Sequence, residues 1–358
     1  MNNRISTILA SEATTVVATK TIDLNENAPL SKIVIRFKGK NNGSTPTAHP
    51  AKMVSKIEVV DGSDVLYSMS GVQCQAMDFL EQSELPFNCC EYENDIECCA
   101  TYDLNFGRFP WDREFALDLR TFKNPQLKIS HDKSKGGSAP DEGTMSVYGY
   151  TFDDPQPSPP NFLMTKELYS YTITANANHY ITLPRDYPYR ILMPQSYEPT
   201  KSFTDMFGAF EWYADNKRRV FIDSITGPEW AKIQPRLDLV EEDFAGLGNA
   251  ASEEYWVAAT YEGWGQTGGR NIVDATNFIG QPSGPQYGVT CAAGTSFAAH
   301  TNGYYAFGAT NLCMHELNDP KAWFDPLEYG DVELRILAGG GAGSNTVCLS
   351  QSRPNGSH

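Results

Sequence analysis

"VSKIEVVDGSDVLYSMSG", residues 54–71, decides how the 358-residue chain is read. It runs as a strand, a tight turn at Asp61-Gly62 and a second strand, because Asp-Gly supplies the backbone that a two-residue hairpin needs. The next residues, "VQCQAMDFLEQ", place Val72, Ala76, Phe79 and Leu80 at helical spacing and predict a short helix.

The same order returns in the second half. "DMFGAFEWYADNKRRVFIDSITG", residues 205–227, runs strand, Asp-Asn turn, strand and Ser-Ile-Thr-Gly, ahead of a helical "PEWAKIQ". Gly71 and Gly227 close the two units at corresponding places. A pattern repeated at domain size predicts two copies of one fold side by side.

Strand signals extend outward from both units. "LSKIVIRFKG" sets Ile33, Ile35 and Phe37 at alternate positions, as in half-buried antiparallel strands. "TTVVATKTIDL", "EFALDLRTF", "PQLKIS" and "TMSVYGYTF" extend the first half, and "LYSYTITAN", "HYITL" and "YRILMPQSY" open the second. "DVELRILAGGGAGSNTVCLSQ" reads as a hairpin with a Gly-rich connection. Between the halves, "DDPQPSPPN" holds four prolines and can continue neither sheet nor helix, which makes it a stiff linker. The expected division is an N-terminal domain over 1–154, a linker over 155–161 and a C-terminal domain over 162–358. Within the last, residues from about 239 to 302 are rich in Gly, Ala, Ser and Thr, and read as a long loop insertion with a few strands.

Composition agrees: 41% hydrophobic, 12% aromatic and 20% charged residues, with 29 Gly and 22 Pro, suit many short strands joined by turns. No apolar run reaches the roughly 18 residues of a membrane span, and the N-terminus makes a poor secretory signal. A net charge of −16 repels phosphates, so direct nucleic-acid binding is not expected. The densest cationic cluster, "DNKRRV" (residues 215–220), reads as a turn with solvated charges. Among eight cysteines, "CCEYENDIECC" (residues 89–99) holds two vicinal pairs. Neighbours on a strand face opposite ways, so each pair could offer one thiolate to a shared ion, and buried thiols are the better reading.

"GTSFAAH", residues 294–300, resembles the nucleophile segment of subtilisin-like serine proteases, with Ser296 as nucleophile and Asp61 of "VVDGSD" as the orienting acid. That chemistry needs a histidine between them. His49, His131 and His179 all lack the following glycine of that family, and its proline after Ala-Ala is His300 here. The family's alternating helices and parallel strands are also missing. Ser296 therefore reads as a strand or loop serine. "GGGAGS" (residues 339–344) lacks a phosphate-loop lysine, and the carboxylates of "VEEDF" (residues 240–244) read as solvated, although sequence leaves a glycosidase pair open. No catalytic residue, cofactor or metal site is expected.

"LSKIVIRFKGKNN", "VSKIEVVDGSDVLYSMSG", "FALDLRTFKNPQLKIS" and "YGDVELRILAGGGAGSNTVCLSQSRP" together resemble the double jelly-roll major capsid proteins of tailless icosahedral viruses with an internal membrane, over roughly residues 13–353. The resemblance implies an all-β chain of two consecutive eight-stranded antiparallel jelly rolls with short helices and long loops. It implies a homotrimer with six barrels about a threefold axis, tiling a virion shell beside neighbouring capsomers, penton and minor capsid proteins. It implies synthesis in the host cytoplasm, outward towers built from long loops, and an arm formed by the first dozen residues, reaching the vesicle or a neighbour. A second reading stays open: a soluble β-sandwich binding carbohydrate or a receptor, with "YEGWGQ" (residues 261–266) stacking on sugar rather than packing in a subunit seam.

Overall fold

The computed structural model describes residues 3–153, 158–234, 238–248, 252–269, 278–279, 284–290 and 292–356. The first half contains β1 (Asn3–Ala13), β2 (Val17–Asp23), β3 (Leu30–Lys40), β4 (Val54–Asp61), β5 (Asp64–Met69), helix α1 (Gly71–Gln82), β6 (Asn88–Glu91), β7 (Glu97–Asn105), β8 (Pro125–Asp132) and β9 (Glu142–Phe152). One sheet runs β1-β9-β3-β7-β6 and the other β2-β8-β4-β5. The alternation read from the sequence does the packing. Ile33, Ile35 and Phe37 on β3 are fully buried against Ile57 and Val59 of β4 and Leu127 and Ile129 of β8. Phe37 meets the His131 ring across the two sheets, centroids 5.0 Å apart.

The second half contains β10 (Asn161–Thr172), β11 (Asn178–Thr182), β12 (Tyr189–Gln195), α2 (Phe203–Met206), β13 (Phe207–Ala214), β14 (Arg219–Thr226) and α3 (Gly227–Ile233). The insertion follows as β15 (Val240–Leu247), β16 (Glu253–Trp256), β17 (Tyr261–Gly269), β18 (Phe278–Ile279), β19 (Gln286–Thr290) and β20 (Ser296–Tyr304), and the chain ends with β21 (Val332–Ala338) and β22 (Ser344–Pro354).

Pairing follows one rule twice. The first strand of each half lies beside the last (β1 with β9, β10 with β22), and the second beside the next-to-last (β2 with β8, β11 with β21). The third also joins the last (β3 with β9, β12 with β22). The fourth joins the next-to-last and the fifth (β4 with β8 and β5, β13 with β21 and β14). Beside the third strand, where the first half has β7, the second half has an irregular segment. There Leu312 N donates to Leu192 O (2.9 Å), Thr310 N to Pro194 O (3.2 Å) and Ser196 N to Gly308 O (3.1 Å). That segment fills the eighth position without becoming a regular strand.

Helices α1 and α3 each follow the fifth strand of their half, as the repeat requires. Ser70 Oγ accepts from Gln73 N at 3.2 Å and Thr226 Oγ1 accepts from Glu229 N at 3.3 Å, so each helix starts on a hydroxyl cap. The glycine after each cap lies against backbone: a Cβ on Gly71 would sit 2.5 Å from Ala51 O, and on Gly227 1.9 Å from Phe207 O.

Two expectations are corrected. Residues 3–13 are no free arm: they pair with β9 from Asn3↔Phe152 to Ala13↔Thr144, because a segment beside an open sheet edge satisfies its backbone groups there. Nor is the insertion a loop assembly of the second half. β15, β20 and β17 extend the first half's sheet through β6, with Phe244 of β15 opposite Cys90, and β16-β19-β18 forms a small sheet of its own. Its aromatics Phe244, Tyr255, Tyr287 and Phe297 belong to the first half's core. The expected linker falls between β9 and the start of β10, and its residues 155–157 lie outside the described residues, as does Cys291.

Candidate functional site: the seam between the two sandwiches

The catalytic candidates are scattered. Ser296 opens β20 opposite Leu247, while Asp61 ends β4 and accepts from Asn124 N (2.6 Å) and Lys123 N (3.1 Å). His131 packs on Phe37 and His179 on Tyr171, centroids 4.1 Å apart. Among the described residues no hydrogen bond links Ser296 to a histidine, so the protease-like motif assembles no triad. The "VEEDF" carboxylates also separate, because alternate strand residues face opposite ways: Glu241 and Asp243 are exposed and Glu242 points inward.

Glu242 is the residue the sequence reading misjudged. On β15 it occupies the inward phase between buried Val240 and Phe244, so a charge sits where the alternation calls for an apolar side chain. That phase conflict is the one sequence signal that could have singled it out. Its Oε1 lies 2.9 Å from His49 Nε2 and 3.4 Å from Cys90 Sγ, and its Oε2 accepts from Ala258 N at 2.9 Å. His49 is fully buried, and Cys90 nearly so. Burial pushes the carboxyl pKa up, but the His49 contact and the Ala258 and Cys90 hydrogen bonds outweigh it, and Glu242 ends below its ordinary value. Burial, with the adjacent carboxylate, pushes the Cys90 thiol well up, so it stays protonated and donates.

His49, Cys90 and Glu242 are metal-ligand types whose ligating atoms lie within 4.8 Å of one another. The histidine tautomer argues against an ion. His49 Nδ1 accepts from Ala51 N at 3.0 Å, so the ring proton belongs on Nε2, facing Glu242. A ligating histidine has the reverse arrangement, with a lone pair toward the metal and its other nitrogen donating. The cluster is a closed hydrogen-bond network. It ties Glu242 of the insertion to His49 and Cys90 of the first half.

A second buried network crosses the seam at α1. Arg190 of β12, fully buried, forms an ion pair with Glu81, itself 3% exposed, and its Nε donates to Leu317 O at 3.1 Å. Asn105 Nδ2 reaches Glu81 Oε2 (2.7 Å) and Asp78 Oδ1 (2.6 Å). Burial, then the charges of Asp103 and Glu81, raise the Asp78 pKa well above the usual carboxylate range. Lys32 pairs with Asp103 beside it. Such pairs contribute more to a fixed arrangement than to stability, since desolvation offsets most of the attraction. Strand pairing completes the seam: β5 and β10 run parallel, Tyr67 opposite Thr165, joining the two halves' other sheets. Between the halves lies a cleft of about 610 Å³, where Lys52 Nζ sits 4.8 Å from the Trp256 ring centroid and 5.1 Å from that of Tyr197. The seam holds the two sandwiches against each other.

No family model matches the sequence, and a comparison with curated proteins finds no match. Solved structures do match, end to end. The major capsid protein P2 of bacteriophage PM2 aligns over 99% of this chain and 98% of its own, at 9% identity and a TM-score of 0.57. The STIV MCP, from Sulfolobus turreted icosahedral virus, aligns over 98% and 96%, at 12% identity and 0.57. PBCV-1 VP54, as fitted into the virophage Sputnik, aligns over 100% and 97%, at 11% identity and 0.51. A match across both halves, added to the twice-repeated strand order, decides the architecture. This chain is a double jelly roll.

The double jelly roll accounts for features outside the seam. Its first barrel has eight regular strands plus β6, and its second has seven plus the 308–312 segment. The insertion lies between α3 and that segment, the place where the first barrel has the connection from α1 to β7. Trp264 of "YEGWGQ" stands 56% exposed on edge strand β17, while Tyr261 packs on Tyr305, centroids 5.9 Å apart. The "DNKRRV" turn holds Asp215, Asn216 and Lys217 at positive φ, and Lys217 folds back onto Glu211 at 2.8 Å.

Proposed function

We propose that this double jelly roll is a major capsid protein: a non-enzymatic shell subunit that trimerises into a pseudo-hexagonal capsomer and tiles an icosahedral virion around a membrane vesicle. Its barrels span residues 1–154 and 162–358 and meet through the 155–161 linker. What carries the reading is the end-to-end likeness to capsid proteins of three viruses, with neither chain leaving a large remainder.

The chemistry of the chain supports it. Two barrels fixed by buried networks make a tile that keeps its shape under lattice forces. Ile5 (56% exposed), Phe87 (66%) and Trp264 (56%) leave apolar surface for subunit contacts, and β1 and β17 present open sheet edges. A net charge of −16 suits a shell that does not touch nucleic acid. The partners are two further copies, neighbouring capsomers, penton and minor capsid proteins, with β1 as the segment nearest the vesicle or a neighbour.

The test is the native mass of the purified chain by light scattering, followed by negative-stain imaging of that peak. Three chains in a six-lobed particle are the expected result. A monodisperse monomer that also fails to join particles when co-expressed with its viral neighbours would overturn the reading in favour of a β-sandwich binding module.

A further inference from the structure

The vicinal cysteines sort into two environments. Cys90 turns inward to His49 and Glu242, and Cys98 is buried beside Met53. Cys89 and Cys99 lie directly opposite each other on β6 and β7. Opposed residues of an antiparallel pair share a face, with Cα atoms about 4.5–5.5 Å apart. A disulfide accepts Cα separations of about 4.4–6.8 Å, so this pair can close without backbone movement. Cys89 is half-buried, so a small reagent can reach it, while Cys99 is nearly covered.

We propose that Cys89 and Cys99 are a disulfide-forming site that staples β6 to β7 when the chain meets an oxidising small-molecule disulfide. The two residues stand side by side on the strand pair. The Cys89 thiol, hydrogen-bonded to the Cys99 sulfur, holds Cys99 down to about 7 against the opposing effect of burial, and the cations of Arg36 and Lys38 add to this. Lys38 stands opposite Cys99 on β3, on the side away from Cys89. Cys99 is thus the thiolate that takes the Cys89 proton, and the reachable Cys89 becomes the attacking sulfur, since the thiolate is the nucleophile.

The chemistry balances with glutathione disulfide as oxidant. The Cys89 sulfur, its proton passed to the Cys99 thiolate, attacks one sulfur of the reagent, breaks its S–S bond and releases a glutathione thiolate, leaving a mixed disulfide on the reachable Cys89. Cys99 loses its proton to solvent or to the released thiolate and attacks the Cys89 sulfur, expelling the second glutathione. Two protein thiols are oxidised, and one glutathione disulfide is reduced to two thiols.

The consequence is local and specific. β6 is four residues long and is the strand through which the first barrel's sheet reaches β15 of the insertion. Covalent closure at Cys89 locks the strand that also carries Cys90 into the seam. On the shell-subunit reading, on which this point alone rests, the bond forms after the particle leaves the reducing cytoplasm.

The experiment takes the full chain through glutathione buffers from reducing to oxidising, blocks free thiols with iodoacetamide, cleaves after glutamate and maps the peptides by mass. Cleavage at Glu91 and Glu97 separates the two cysteine pairs. The expected product is a linked pair of peptides lighter by two hydrogens, whose fragmentation places the bridge on Cys89 and Cys99. It disappears in Cys89→Ser and in Cys99→Ser. Full alkylation of both residues in the most oxidising buffer would overturn the proposal, as would fragmentation that puts the bridge on Cys90 or Cys98. Fragmentation of the unmodified chain decides this even if a variant fails to fold. The readout does not depend on oligomeric state, so its failure leaves the trimer test untouched.

Discussion

His49 Nε2 and Glu242 Oε1 meet at 2.9 Å across 193 residues of sequence, in a pocket from which solvent is excluded. The carboxylate receives a histidine N–H, a thiol and the Ala258 amide, so one side chain adds a buried polar tie to the strand pairing and aromatic packing that join the insertion to the first barrel.

Glu242→Ala removes the acceptor and leaves three buried donors unpaired. Loss of one partner from a buried charged network costs about 3–5 kcal/mol. Urea unfolding should place Glu242→Ala that far below the parent, with Glu242→Gln between them because its carbonyl oxygen still accepts. Equal stability of all three would mean that the network contributes nothing.

Acid should loosen the same anchor. Glu242 has a folded pKa below its ordinary value, so its contribution is present above the unfolded pKa, about 4.3, and is lost as pH falls through the folded one. Asp78 has the opposite sign: with its pKa raised, its contribution is present below the unfolded value and is lost as pH rises through the folded one. Asp78→Asn mimics the protonated form and should raise the thermal midpoint at pH 8 while leaving it little changed at pH 4. A lower midpoint at pH 8 would contradict a raised Asp78 pKa.

Arg190 and Glu81 form a desolvated pair, so each single variant should be worse than the double. Arg190→Met and Glu81→Leu are each expected to cost about 3–5 kcal/mol, and the combination to recover more than half of the summed loss. Strict additivity in denaturant titrations would show that the two residues act independently.

Gly71 and Gly227 precede equivalent helices and both lie against a carbonyl oxygen. Alanine at either position should destabilise by about 1–3 kcal/mol through overpacking, more at Gly227, where the added Cβ would come within 1.9 Å of Phe207 O. The cap variants Ser70→Ala and Thr226→Ala should each cost about 1 kcal/mol. Unchanged thermal midpoints for Gly71→Ala and Gly227→Ala would contradict the close backbone approach at both sites.

Ser296→Ala should leave fold and assembly unchanged, and a fluorophosphonate probe should fail to label the parent chain. Labelling of the parent that disappears in the variant would reinstate the hydrolase reading.

The hairpin over 54–71 and its counterpart over 205–227 were legible because side-chain alternation, turn chemistry and helix caps act within a few residues. So were β3, helices α1 and α3, the corresponding places of Gly71 and Gly227, and with them the doubled all-β architecture. β1 is an arm only by the family resemblance: its side chains are largely exposed in the single chain and what holds it is backbone pairing with β9, which no local pattern records. The insertion read as second-half loops because its short strands find their neighbours in the first barrel. Glu242, Arg190 and the opposed Cys89 and Cys99 depend on which strand lies beside which. Local periodicity fixes what each segment becomes; the partner of a buried charge or thiol is set by the close approach of segments distant in sequence, and only the assembled sheets bring that about.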